Sequence, residues 1–262
     1  MSNLSKFDNG ITLKEIATPI ALPDYGKVYT KTDNKLYFQD GAGVEHEITV
    51  ATSDYAEMYA YESSVATTVN VTGQYHSVQG IYTAGQLNKW AFTAGSSGSG
   101  TITTAEAGAA ININNALHGL VSDDIINVQS ANHTGTKVVT KIDDNNFTVP
   151  IAYVGDETGY WQKGDYLEAG VGSAGTYRFS YNMSLTSAGN GKTYKFELCK
   201  NTTHIDESAA ERKIGTGADI GAMGAGGLLT IAEGDIIFLM SKNIADITNF
   251  TLKHSNLTLN RI

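Results

Sequence analysis

From Tyr25 to Ile48 apolar and polar residues alternate, break at Asp33-Asn34, alternate again and stop at Gly41. A period of two predicts strands with one covered face. The strands would be Lys27-Val28-Tyr29-Thr30-Lys31 and Lys35-Leu36-Tyr37-Phe38-Gln39, joined at Thr32-Asp33-Asn34, and then Glu45 to Val50 after Gly41-Ala42-Gly43. Pro19 and Pro23 hold the backbone extended around Ile20-Ala21-Leu22, because proline restricts itself and the residue before it. A meander this small is marginal in water, so residues 1–50 are expected to lean on another surface.

Strand patterns continue at 56–60, 66–71, 75–78 and 89–93. Tyr55, Met58, Tyr59 and Glu62 have helical spacing, but the β-branched run that follows and the lack of helix caps favour a strand. Ala94-Gly95-Ser96-Ser97-Gly98-Ser99-Gly100 has the composition of a flexible junction. Beyond it, short strands at 111–113, 124–128, 136–142 and 146–150, separated by Asn- and Asp-rich turns, predict a small β-barrel. After Lys163-Gly164-Asp165 the first texture resumes, with alternation over 177–185, 194–200, 228–231, 236–240 and 250–259. The expected fold is all-β. A meander at 1–50 precedes a two-sheet sandwich made of 51–97 and 166–262, and a barrel at 98–165 is inserted in the sandwich at a loop tip.

Composition narrows the function classes. Charged residues are 17%, against roughly 25% in an average globular chain, and there are 28 glycines, as many short strands and tight turns require. The formal net charge is −9 and no Lys/Arg cluster exists, so a phosphate backbone would be repelled and nucleic acid is not expected as a partner. No apolar run approaches the ~20 residues of a membrane span. Met1 to Lys6 lacks the apolar core of a secretory signal, so the expectation is a chain made and folded in a cytoplasm without membrane insertion. Cys199, the single cysteine, lies in an alternating run and reads as a buried structural thiol. Without a signal, Asn-x-Ser/Thr triplets such as Asn70-Val71-Thr72 read as turn and strand chemistry.

The residues offer little for catalysis. The six histidines are scattered singly, with no His-x-His or His-x-x-x-His spacing, so no metal site is expected among them. Asp123-Asp124 and Asp143-Asp144 fall in turns, where carboxylates bond local amides; clustered loop carboxylates also suit calcium, and both readings stand at this point. Gly215 to Gly227 is glycine-rich but lacks the Gly-Lys-Ser/Thr ending of a phosphate loop, and reads as a surface loop. No catalytic residue, cofactor or metal is assigned. Tyr153, Tyr160, Trp161 and Tyr166 gather at the end of the insertion, where they either seal its joint with the sandwich or stack on a sugar or partner.

The order Gly175-Thr176-Tyr177-Arg178-Phe179-Ser180-Tyr181, Tyr194 to Asn201, Glu233-Gly234-Asp235-Ile236-Ile237-Phe238-Leu239 and Leu252 to Leu259 resembles the C1q/tumour-necrosis-factor-like jelly rolls of tailed-bacteriophage virion proteins. Tyr25 to Phe38 is similar to a module near the start of phage head-fibre and tail-associated proteins. His118 to Ile126, with Asn132 to Thr136 and Asp144 to Val149, resembles a small β module inside phage virion proteins, which usually carries Gly-Asp where this chain has Asp123-Asp124. The resemblance implies a jelly-roll homotrimer in the virion, a capsid decoration (cement) or head-fibre protein and not an enzyme. Its N-terminal region would contact the major capsid protein or another virion protein through Leu22, Tyr25, Val28, Tyr29, Leu36 and Phe38. The alternative it leaves open is a tail-fibre or receptor-binding trimer that recognises a host-surface glycan through Tyr153, Tyr160 and Trp161.

Overall fold

The computed structural model describes residues 15–33, 35–48, 54–80, 82–105, 108–215 and 219–262. Expectations that fall on Met1 to Lys6, Asn34 and Thr49-Val50 lie outside these residues. Among the described residues the chain is all-β, with 22 strands and no α-helix. It divides into two compact units, Met1–Thr52 and Ser53–Ile262.

In the first unit β1 (Lys27–Thr30), β2 (Leu36–Gln39) and β3 (Glu45–Glu47) form an antiparallel meander in that order. Asp33 accepts the amide of Lys35 at 3.1 Å, which closes the β1–β2 turn. One face is polar and bonded: Tyr29 and Tyr37 stack at 6.0 Å, and Glu45 accepts from the Tyr29 hydroxyl, Thr18 and Lys31. The other face carries the cross-strand pair Val28 and Phe38.

The second unit is a sandwich with a barrel inserted in it. Its first sheet runs β20 (Ile220–Ile231), β17 (Gly175–Ser187), β22 (Phe250–Arg261), β4 (Tyr55–Tyr61), β7 (Tyr82–Asn88), with β5 (Ala66–Thr67) beside β22. The second runs β19 (Thr203–Ile214), β18 (Lys192–Lys200), β21 (Ile236–Asn243), β16 (Tyr166–Ala169), β8 (Trp90–Thr93), with β6 (His76–Ser77) beside β21. Strict alternation on β17 sends Tyr177, Phe179, Tyr181, Met183 and Leu185 into the core, where Tyr194, Phe196 and Leu198 of β18 meet them. Burying this many aromatic and aliphatic side chains, at about 1.5–3 kcal/mol each, is the main force holding the two sheets together. The Tyr181 hydroxyl crosses between the sheets and donates to the Ser208 carbonyl at 2.6 Å.

Between β8 and β16 the chain builds β9 (Ser96–Ala105), β10 (Ala110–Asn114), β11 (Ile125–Gln129), β12 (Thr134–Val138), β13 (Thr140–Lys141), β14 (Asn146–Val149) and β15 (Glu157–Lys163). These seven strands curl, in the order β12-β11-β15-β9-β10-β14-β13, around a core of their own made of Ile102, Ile111, Ile113, Ile126, Val128, Phe147 and Trp161. Entry and exit are adjacent. β8 pairs with β16 in the sandwich and β9 pairs with β15 in the barrel, so one antiparallel pair of strands crosses from host to insertion. Asp165 pins this crossing by accepting the Gly95 amide at 2.9 Å. A third apolar cluster, Ile125 with Cys199, Phe238 and Met240, packs the barrel onto the outer face of the second sheet.

Two glycine-rich segments expected as loops are strands. Ser96 to Gly100 is not a flexible junction but the start of β9, paired residue by residue with β15. Its glycines answer to packing: a side chain at Gly98 would strike the Trp161 indole, and one at Gly100 the Asn114 carbonyl. Ile220 to Gly227 is likewise no surface loop but most of β20, which pairs with β17 along its whole length. Gly227 there lies against the Phe179 ring and Gly224 against the Tyr181 carbonyl, positions that leave no room for a Cβ.

Candidate functional site

The six residues expected to anchor the N-terminal unit separate into two sets. Tyr29 is only 3% exposed and belongs to the bonded polar face, so it holds the meander together and is not available to a partner. Its β position opposite Tyr37 decides this, since register places it on the face away from Val28. Leu22, Tyr25, Val28 and Phe38 are exposed and Leu36 is half-buried. Ile20, at 90% exposure, and Val44 extend the apolar surface of this unit, and the sequence reading missed both.

A second unpartnered surface is the outer face of the sheet β20-β17-β22-β4-β7. Register aligns Gly224, Asn182, Asn256 and Tyr59 in one row and Ala222, Ser184, His254 and Tyr61 in the next. These residues are small or uncharged, and they floor a broad depression of about 730 Å³. Tyr61 is 71% exposed, with its ring 5.1 Å from that of His254. Glu57, in the row on the other side of Tyr59, is tied down by the Asn256 amide at 2.5 Å. Single-sequence patterning could show that these positions face away from the core, but not that the rows are contiguous.

The aromatic group at the end of the insertion is split by the alternation of β15. Trp161 points inward, is 1% exposed, meets Phe147 edge-on and donates its indole N–H to Asn115 at 2.9 Å. It is therefore core and cannot stack on an external ligand, which corrects its assignment as a partner-binding residue. Tyr153 is half-buried, stacked on His133, with its hydroxyl on Asp156. Tyr160 alone of the three is exposed, on the outer barrel face.

The buried ionisable groups are spent on structure. His133 Nδ1 meets the Glu157 carboxylate, and Ser130 donates to that same carboxylate at 2.6 Å. The three residue types are those of a hydrolytic triad, but the geometry is not. His133 Nε2 already accepts the Val154 amide, and Ser130 bonds the acid instead of the imidazole. His76 accepts the Asn70 amide and contacts the Gln74 carbonyl, and burial pushes its pKa down to about 4, so it is a neutral pin. Burial pushes the Cys199 thiol up to about 12, far from the thiolate a nucleophile needs.

Glu197, fully buried on the outer face of the second sheet, is met by His204 at 2.6 Å, Lys195 at 3.1 Å and the Tyr75 hydroxyl. Lys163 and Asp124 form another buried pair at 2.5 Å. Asp143 caps its own turn by accepting the Asn145 amide at 2.7 Å, and no group of three or more His, Cys, Asp or Glu side chains arranged to hold a metal ion occurs among the described residues. No helix among the described residues is long and apolar enough to cross a membrane. The chain matches no protein-family model, and a search of curated proteins finds no match to it.

Proposed function

We propose that this chain is a structural virion protein of a tailed bacteriophage, a homotrimeric capsid decoration or head-fibre protein held to the head through its N-terminal unit. The observation that carries the reading is the apolar face of that unit. A three-stranded meander displays Val28, Phe38, Leu22 and Tyr25 instead of enclosing them, as an element built to complete its core on another protein would. The rows through Asn182 and Ser184 on the outer face of the β17 sheet, which hold no Asp, Glu, Lys or Arg, support self-association. Their small side chains let a second backbone approach closely, and Tyr59, Tyr61 and His254 supply the contact area. β20, at the edge of the same sheet, has no charged residue over its twelve positions and leaves Ile220 and Leu228 exposed, so it suits the complementary half of a head-to-tail ring.

Measuring the copies of this chain per purified particle, relative to the major coat protein, tests the reading. Decoration requires a fixed, large fraction of the coat number, whereas a handful of copies would place the chain in a tail or fibre. Deleting residues 1–52 should abolish binding to particles that lack the protein; binding that survives would overturn the anchor assignment.

A further inference from the structure

A cleft of about 290 Å³ opens where the sandwich segment 65–79 faces the outer surface of the barrel strands β9 and β15. Register builds its barrel wall: Ser99 lies opposite Tyr160 and Ser97 opposite Gln162, so two hydroxyls and an aromatic ring share one surface. Val65, Ala66, Thr68, Asn70 and Gln79 form the facing wall. Beneath them runs a bonded chain of side-chain amides. Asn70 donates to Gln129 at 3.0 Å, Gln129 to Gln162 at 3.0 Å, and Gln162 to the Thr68 carbonyl at 3.1 Å. This chain ties barrel to sandwich, so the two walls are held in place before any ligand arrives.

The lining decides the ligand class by elimination. No charged side chain lines the cleft, although the whole chain carries 45 charged residues by formal count, 18 basic and 27 acidic. A phosphate, uronate or sialic acid would find no cation, and an ammonium group no carboxylate. A wholly apolar ligand would cover the Ser97, Ser99 and Thr68 hydroxyls without giving them partners. What fits is a neutral molecule with an apolar C–H face to lie on the Tyr160 ring and hydroxyls round its rim to exchange bonds with Ser97, Ser99, Thr68 and Gln79. We propose that this cleft binds a neutral pyranose residue, with Tyr160 as its stacking platform. The assignment stands independently of where on a virion the chain sits.

Saturation-transfer NMR on the full chain tests it, with the methyl glycosides of glucose, galactose and N-acetylglucosamine as probes and methyl glucuronide as the charged control. At least one neutral glycoside should receive saturation on its ring C–H protons. Tyr160→Ala should weaken that binding at least about tenfold, with thermal stability unchanged because the side chain is exposed. Tyr160→Phe should retain it within about threefold, and Ser97→Val with Ser99→Val should weaken it without touching the ring. The proposal is overturned if no neutral glycoside is saturated, if Tyr160→Ala binds as well as the parent, or if the glucuronide binds as tightly as the neutral sugars. Particle binding measured on Tyr160→Ala should be normal, which separates this site from the N-terminal anchor.

Discussion

The hydroxyl of Tyr75 donates to the carboxylate of Glu197, so a residue of the β5–β6 connection is moored to a fully buried acid on β18, 122 positions further along the chain. Burial alone would push the Glu197 pKa up, but the hydrogen bonds from His204, Tyr75 and Lys195 outweigh it and hold the group down at about 2. Lys242 completes the site, its ammonium 4.5 Å from the centre of the Tyr75 ring.

Glu197 makes stability acid-sensitive. Its folded pKa lies below the ordinary glutamate value, so the stabilisation is fully present above about pH 5 and is lost as pH falls toward 2. Urea unfolding across this window should show a loss on the order of 3 kcal/mol assignable to Glu197. Glu197→Gln should be less stable at pH 7 and should lose less stability than the parent over the same range, by about that amount. Equal acid losses in parent and variant would show that the carboxylate is not held as described.

Asp165 has the opposite sign. Burial raises its pKa to about 6, so ionising it costs stability as pH rises from about 4 to 6, and that cost persists at neutral pH. Asp165→Asn keeps an oxygen for the Gly95 amide and removes the charge. The variant should be more stable than the parent by about 1–3 kcal/mol at pH 7, with the difference vanishing below about pH 4. Thermal melts of the pair at pH 4 and 7 read this directly.

Asp123 occupies the left-handed region, with φ of 73°, two residues before β11. Glycine takes that conformation without a Cβ penalty, and aspartate tolerates it better than most residues do. Asp123→Gly should keep or raise stability by up to about 1 kcal/mol, whereas Asp123→Val should lower it by more than about 1 kcal/mol. Equal melting temperatures for the Gly and Val variants would contradict the turn geometry.

The β17 sheet face should carry the self-association. Tyr61→Glu combined with Asn182→Lys places charges among uncharged neighbours on an exposed surface, so folding should be unaffected while association weakens by roughly two orders of magnitude or more. Light scattering after size exclusion should report three 27.9 kDa chains for the parent and one for the variant. A monomeric parent at micromolar concentration would remove the trimer from the proposal.

The amino-acid sequence by itself determined the all-β class and the core side of the long strands. Alternation over Tyr177 to Leu185 and over Phe250 to Leu259 is a local signal, because a strand covered on one face must repeat every two residues. It also marked the Asp123-Asp124 turn and the buried character of Cys199. Tertiary structure decided the rest. Glycine weakens a strand locally, so Ser96 to Gly100 and Ile220 to Gly227 read as loops until Trp161 and Phe179 are seen to need their missing side chains. Whether Tyr29 or Val28, and Trp161 or Tyr160, meets solvent follows from register and curl, which residues far apart in the chain impose on one another. For the same reason neither the uncharged rows of the β17 sheet nor the neutral cleft under Tyr160 exists in any one stretch of sequence, since the first needs β4 beside β22 and β17 and the second needs β9 beside β15.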